Sequence, residues 1–240
     1  MHMHINIHYN RMHTKELAAA SWKTGLLVWI PCMLIGFLSF KTSYAQRKIA
    51  EMTLSYDAKI SRLNDKEPLE VAVTTIYLKG PYSRTDMVST LLKTSTIFHE
   101  KDSAGALLRE VSGQKILILM TKEQWKESNR KYEGIRFSYT PERKEIAGYS
   151  CMKAIATLPD SSVFSVYYTP DLLPENKLYD YLFRDLKGLP MEWEQIQGNV
   201  RILFSLSRIS MNPVPRSVFD IPKTGYRQLS FEESKKLSEH

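Results

Sequence analysis

Residues 51–60 alternate without a break. Met52, Leu54, Tyr56, Ala58 and Ile60 are apolar, and Glu51, Thr53, Ser55, Asp57 and Lys59 between them are polar or charged. A strand points successive side chains to opposite faces, so this pattern describes a strand with one dry face and one wet face. A helix would scatter the same residues around its axis. The pattern then recurs at short intervals: Val71–Lys79, ending in Gly80-Pro81, then Tyr82–Ser89, Thr94–Glu100, Leu107–Val111 before Ser112-Gly113, and Lys115–Met120. Ile135–Tyr139, Glu145–Tyr149, Met152–Leu158, Phe164–Tyr168, Met191–Gln195 and Val200–Ile209 continue it. About ten strands divided by turn residues predict a mainly β (α+β) fold, a single large antiparallel sheet that is curled or forms an incomplete barrel.

Two or three short helices are expected beside the sheet. Thr121 and Gln124 stand at the N-cap and N3 positions of a capping box. Asn176–Lys187 places Leu178, Tyr181, Leu182 and Leu186 at helical spacing, with Asp185 as the polar exception and Gly188 as the stop. Ser230 and Glu233 form a second capping box at the start of a short C-terminal helix.

The N-terminal segment does not share the alternation. Lys15 and Lys23 precede an unbroken run from Gly25 to Phe40, and Ser43-Tyr44-Ala45 follows. This is the order of a secretory signal peptide, with cleavage expected after Ala45 and one β-rich domain over 46–240. The run is shorter than the ~20 apolar residues a spanning helix needs, and it contains Pro31. Cys32 lies mid-run behind Trp29-Ile30-Pro31, which disfavours lipoprotein processing there. His2, His4 and His8 lie upstream of the signal core, and Met12 offers a second start.

Cleavage removes Arg11, Lys15, Lys23 and Lys41 from 33 basic residues and Glu16 from 26 acidic ones. The remaining 29 and 25 leave a formal charge of +4 in place of +7. Without a basic cluster interleaved with aromatics, nucleic acid is not an expected partner. Only Cys151 survives cleavage, so the domain holds no internal disulfide and depends on its core.

Few residues offer chemistry. A cysteine nucleophile wants a histidine beside it, and beyond residue 45 only His99 and the terminal His240 remain. Cys151 therefore reads as a core residue. His99-Glu100-Lys101-Asp102 lacks the partners of a zinc site and reads as a strand end running into a turn over Asp102–Gly105. Glu192 and Glu194 alternate with Met191 and Trp193 and read as a wet strand face, while Glu232 and Glu233 suit a helix's first turn. No nucleophile elbow, phosphate loop or dinucleotide fingerprint occurs, so neither catalysis nor a cofactor or metal is expected.

The aromatics crowd together instead. Phe164, Tyr167, Tyr168, Tyr179, Tyr181, Phe183 and Trp193 fall close in sequence. Phe164, Tyr168, Tyr181 and Trp193 are the candidate ligand-binding residues if a sheet concavity stays open; the same residues would otherwise fill the core.

Several stretches together resemble exported GLPGLI-related proteins and the wider LolA-like lipoprotein-carrier group. They are Tyr77-Leu-Lys-Gly-Pro-Tyr-Ser-Arg-Thr-Asp86, Ile146-Ala-Gly-Tyr-Ser-Cys-Met-Lys-Ala154, Tyr167-Tyr-Thr-Pro-Asp171, Leu186-Lys-Gly-Leu-Pro-Met191 and Phe219-Asp-Ile-Pro222 with Gly225-Tyr-Arg227. Gly188-Leu-Pro190 is followed by Met191-Glu-Trp, where GLPGLI proteins repeat Gly-Leu-Ile, so the likeness is to a sister group. The resemblance implies an incomplete barrel closed by helices, with an apolar concavity for acyl chains. The expectation is a periplasmic or envelope-associated binding protein for a lipid or other apolar ligand. The alternative is an interaction module that meets another envelope protein through a sheet face or edge.

Overall fold

The computed structural model describes residues 47–65, 67–101 and 104–238. The signal peptide expected over 1–45 lies outside them. The first strands are β1 (Arg47–Ile49), β2 (Glu51–Arg62), β3 (Glu70–Lys79), β4 (Tyr82–Val88) and β5 (Leu92–His99). Next come β6 (Ala104–Val111), β7 (Gln114–Met120), helix α1 (Lys122–Ser128), β8 (Arg136–Ile146), β9 (Tyr149–Thr157) and β10 (Val163–Thr169). The chain ends with β11 (Leu172–Pro174), β12 (Leu189–Gln197), β13 (Val200–Ser210), β14 (Arg227–Leu229) and helix α2 (Phe231–Ser238).

Twelve of these strands form one sheet, ordered β14-β7-β6-β5-β4-β3-β2-β13-β12-β10-β9-β8, and it is open, with β14 and β8 at its edges. β2 sits near the middle because β13 returns antiparallel along its free side. The sheet is mixed, which corrects the antiparallel expectation: β14 runs parallel to β7, and β1 and β11 form a separate parallel pair. These three short strands carry no alternation long enough to read. Tight turns set the hairpin registers. Gly80 at φ +52° followed by Pro81 makes a turn whose twist matches the flanking strands.

Three expectations need correction. Ile135–Tyr139 and Glu145–Tyr149 belong to one strand and its turn. β8 runs through to Ile146 with a register shift between Tyr139 and Arg143, and Ala147-Gly148, both at positive φ, form the hairpin tip. The Asn176–Lys187 helix is absent; two 3-10 turns, Lys177–Tyr179 and Tyr181–Phe183, take its place. Asn176 Oδ1 accepts from Leu178 N and Asp180 Oδ1 from Leu182 N, so Asp180 restarts the chain in extended geometry where a helix would continue. Gly188, read as a helix stop, serves close packing. A Cβ there would lie 2.1 Å from the carbonyl oxygen of Thr169. Both capping boxes form as expected, Thr121 with Gln124 and Ser230 with Glu233.

Burial follows the alternation. Met52, Leu54, Tyr56 and Ala58 are fully buried on one face of β2 and join a cluster with Val166, Tyr168, Met191, Trp193, Phe204 and Leu206. Leu182, Phe183 and Leu186, from the segment with the 3-10 turns, pack into this same cluster. Each such side chain contributes about 1.5–3 kcal/mol through removal from water. Strands β5–β7 are dry on both faces. Phe98 and Ile118 pack with Trp125, Leu229 and Phe231, while their neighbours Ile97 and Leu117 pack on the opposite side with Ile221 and Tyr226.

Candidate functional site

β10 and β12 begin as neighbours and then part. Their pairing runs from Thr169–Leu189 to Val166–Trp193 and stops. β10 continues beside β9 as far as Val163, and β12 continues beside β13 as far as Gln197. Val163, Phe164 and Ser165 therefore face Glu194, Gln195 and Ile196 with no ladder between them. A bulge precedes the split: Tyr167 pairs with Glu192 and Tyr168 with Pro190, leaving Met191 as the extra residue. Bulges sharpen local twist, and the twist turns the two strand ends away from each other.

A cavity of about 690 Å³ occupies this split. All six residues just named line it, together with Leu158, Asp160, Tyr167, Leu182, Glu192, Trp193 and Leu203, and with Lys131 and Tyr132 at one side. Both parities of β10 and β12 contribute. A pocket on one face of a sheet is lined by every second residue; a gap between strands is lined by all of them. The cavity is therefore a seam through the sheet. Its inner side is aromatic and apolar. Trp193 stacks on Phe204 at 4.8 Å between centroids, meets Tyr56 edge-on at 5.2 Å and Phe183 at 4.9 Å, and Phe164 approaches Phe183 at 6.3 Å.

The outer side carries charge. Glu192 accepts from Lys144 Nζ at 2.6 Å and from Ser205 Oγ at 3.3 Å, and Glu194 lies 3.4 Å from Arg201. Lys144 and Lys153 sit over the Tyr167 ring, whose hydroxyl donates to Glu142. Bonds from Tyr167 and Lys153 hold the Glu142 carboxyl below its ordinary range. At the mouth, Asp160 accepts from the Ser162 amide and hydroxyl, which lowers its carboxyl as well.

Of the four residues named from sequence, Phe164 and Trp193 line the cavity. Tyr168 does not: it is 4% exposed in the core, edge-on to Tyr139, with its hydroxyl 3.9 Å from Met152 Sδ. Tyr181 packs against the separate cluster around Trp125, because the broken helix turns it toward α1. Leu182, Ile196 and Leu203 were not anticipated, since nothing in an alternating sequence marks where two neighbouring strands separate.

A buried polar group lies beneath the seam. Tyr56 donates to the Pro190 carbonyl at 2.9 Å, and burial raises the Tyr56 and Tyr179 hydroxyls well above the ordinary phenol range. Asp180 keeps some surface but its carboxyl is enclosed, and burial pushes it up to about 6, partly offset by the bond from Leu182 N. Among the described residues, Tyr179 Oη, Asn176 Nδ2 and Trp193 Nε1 have no hydrogen-bond partner.

Cys151 is fully buried; desolvation pushes its thiol up to about 11, and Sγ donates to the Tyr149 carbonyl. His99 lies on β5 against Phe219 O and the Tyr82 ring, with six strands between β5 and β9 along the sheet. The two do not form a nucleophile pair within one stretch of sheet. Among the described residues, no group of three His, Cys, Asp or Glu gathers to hold a metal ion, and no helix is long and apolar enough to cross a membrane.

No family model and no curated protein matches the chain. Among solved structures it is similar to PNGF-II, at TM-score 0.45 and 12% identity over 78% of this chain and 32% of that one. It thus spans about a third of that protein's length. MucB follows at TM-score 0.34 and 10% identity, over 72% of this chain and 58% of MucB. A LolA superfamily protein from Nitrosomonas europaea aligns at TM-score 0.31 and 7% identity, over 73% of this chain and 92% of its own. Likenesses of this size do not bear on the site, which is read from its own residues.

Proposed function

We propose that the protein is an exported, periplasmic or envelope-associated binding protein that holds an apolar or amphiphilic, lipid-like ligand in the seam between β10 and β12, without catalysing a reaction on it. The cavity carries this reading. Its volume suits a small amphiphile, its inner wall offers Phe164, Trp193 and Leu182, and its outer rim offers carboxylates and a lysine for a polar end. The signal-like N-terminus and the motif resemblance to exported carriers support the compartment. The deep thiol of Cys151 supports binding over covalent chemistry.

The buried side chains of the main core pack on one another, which supports the seam over a central hollow as the ligand site. Brominated lysophosphatidylcholine tests this. In a Trp125→Phe variant, Trp193 is the one tryptophan left after the expected cleavage, and a ligand in the seam quenches its emission. A native mass spectrum without adducts, together with no quenching of Trp193, would sink the reading.

A further inference from the structure

The seam holds more than an apolar wall. Val163–Ser165 and Glu194–Ile196 are strand residues with a neighbour on one flank only, and continuing the register past Val166–Trp193 would set 165 against 194, 164 against 195 and 163 against 196. In an antiparallel ladder alternate residues turn their N–H and C=O groups to each flank. Two such half-used edges therefore line the cavity from opposite sides. A lipid tail cannot pair with them, whereas an extended polypeptide can pair with both. The inner wall takes apolar side chains at every second position. The outer wall presents Glu192 and Glu194, with Asp160 at the mouth and Lys131 as the single lysine among the lining residues. Lys144 and Arg201 already pair with Glu192 and Glu194, so the outer wall is close to charge balance and suits polar residues at the intervening positions.

The geometry points to an extended peptide segment of another protein as the occupant, inserted as a strand between β10 and β12, with apolar residues facing Phe164 and Trp193 and polar ones facing out. This rests on the seam being a ligand site and goes beyond the lipid-like ligand proposed above, giving the same seam a protein ligand that the strand edges recognise. The volume, about 690 Å³, is that of a strand of about five residues at 3.3 Å rise.

The test uses protein recovered from cells expressing the whole 240-residue chain. The probe is a blocked heptapeptide alternating valine with lysine and threonine, set against lysophosphatidylcholine in native mass spectrometry and fluorescence titration. A one-to-one peptide adduct is expected. N-methylating either alternating set of amides should weaken it about tenfold or more, because one set faces each edge. Affinity indifferent to methylation of both sets would overturn the pairing. A lysolipid adduct with no peptide adduct would overturn the peptide and leave the proposed binding function standing; neither adduct would remove both. A protein dimer that excludes the peptide would make the partner a second copy, and overturn the inference too. Val163→Lys with Ile196→Lys, at positions 61% and 57% exposed, should cut peptide affinity more than tenfold without lowering the thermal midpoint. Unchanged affinity in that variant would remove the peptide from the seam.

Discussion

β2 and β10 both alternate apolar and polar residues, yet they treat their neighbours differently. β2 is zipped on both sides, to β3 from Glu51–Lys79 to Ile60–Glu70 and to β13 from Thr53–Ser210 to Arg62–Val200. β10 is zipped to β9 along its length but releases β12 beyond Val166. Alternation decides which face is dry. It does not decide whether the next strand stays. At β10 that second choice goes with the Met191 bulge, which sharpens the twist two pairs before the strands part. The zipped region is core, and the released region is a site.

That contrast can be broken by substitution. Trp193 joins both regions, packed on Phe204, Tyr56 and Phe183, so Trp193→Ala should cost about 4 kcal/mol in urea unfolding. A loss under 1 kcal/mol would mean that its wall is not core. Gly188→Ala comes next, at about 3 kcal/mol, since the Thr169 carbonyl at 2.1 Å is backbone and cannot swing aside.

The third prediction is a pH dependence. Asp180 titrates near 6 when folded, above its ordinary 3.8, so the folded state holds the proton more tightly. Stability from this group is full below pH 3.8, falls as pH rises from there to 6, and stays lost above. Asp180→Asn should equal the native protein near pH 3 and exceed it by up to about 3 kcal/mol at pH 8. Equal stability at both pH values would show that the carboxyl is solvated. The smallest effect belongs to the seam itself. Ile196→Ala, at an exposed position, should change stability by less than about 0.5 kcal/mol while lowering ligand affinity. A cost comparable to Trp193→Ala would show the seam to be packed and end the comparison.

The sequence makes the long strands legible because period 2 survives over 51–60 in β2 and over 200–206 in β13, up to the bulge after Leu206. Both capping boxes are legible because their bonds are local. The pseudo-helix at 176–187 shows the opposite case. Its apolar spacing is genuine, but Asn176 and Asp180 each bond the amide two residues on, and that local alternative wins. The short parallel strands β1, β11 and β14 are held by distant partners and leave no local mark. For the site, Phe164 and Trp193 were visible as aromatics, while Tyr168 and Tyr181 have the same composition and different places. What separates them is the broken helix, which is local, and the bulge, which depends on a partner strand distant in sequence.

The pairing of β2 with β13 also sets a timetable. Thr53 waits for Ser210 and Arg62 for Val200, so residues up to 210 must be synthesised before this strand, fully buried at Met52, Leu54, Tyr56 and Ala58, gains its second neighbour. Until then β2 presents a bare edge next to a row of large apolar side chains, a ready template for the wrong strand. Such long-range closure is slow. A chain cut short anywhere before β13 leaves that edge permanently open, and its expected fate is aggregation rather than a smaller folded domain.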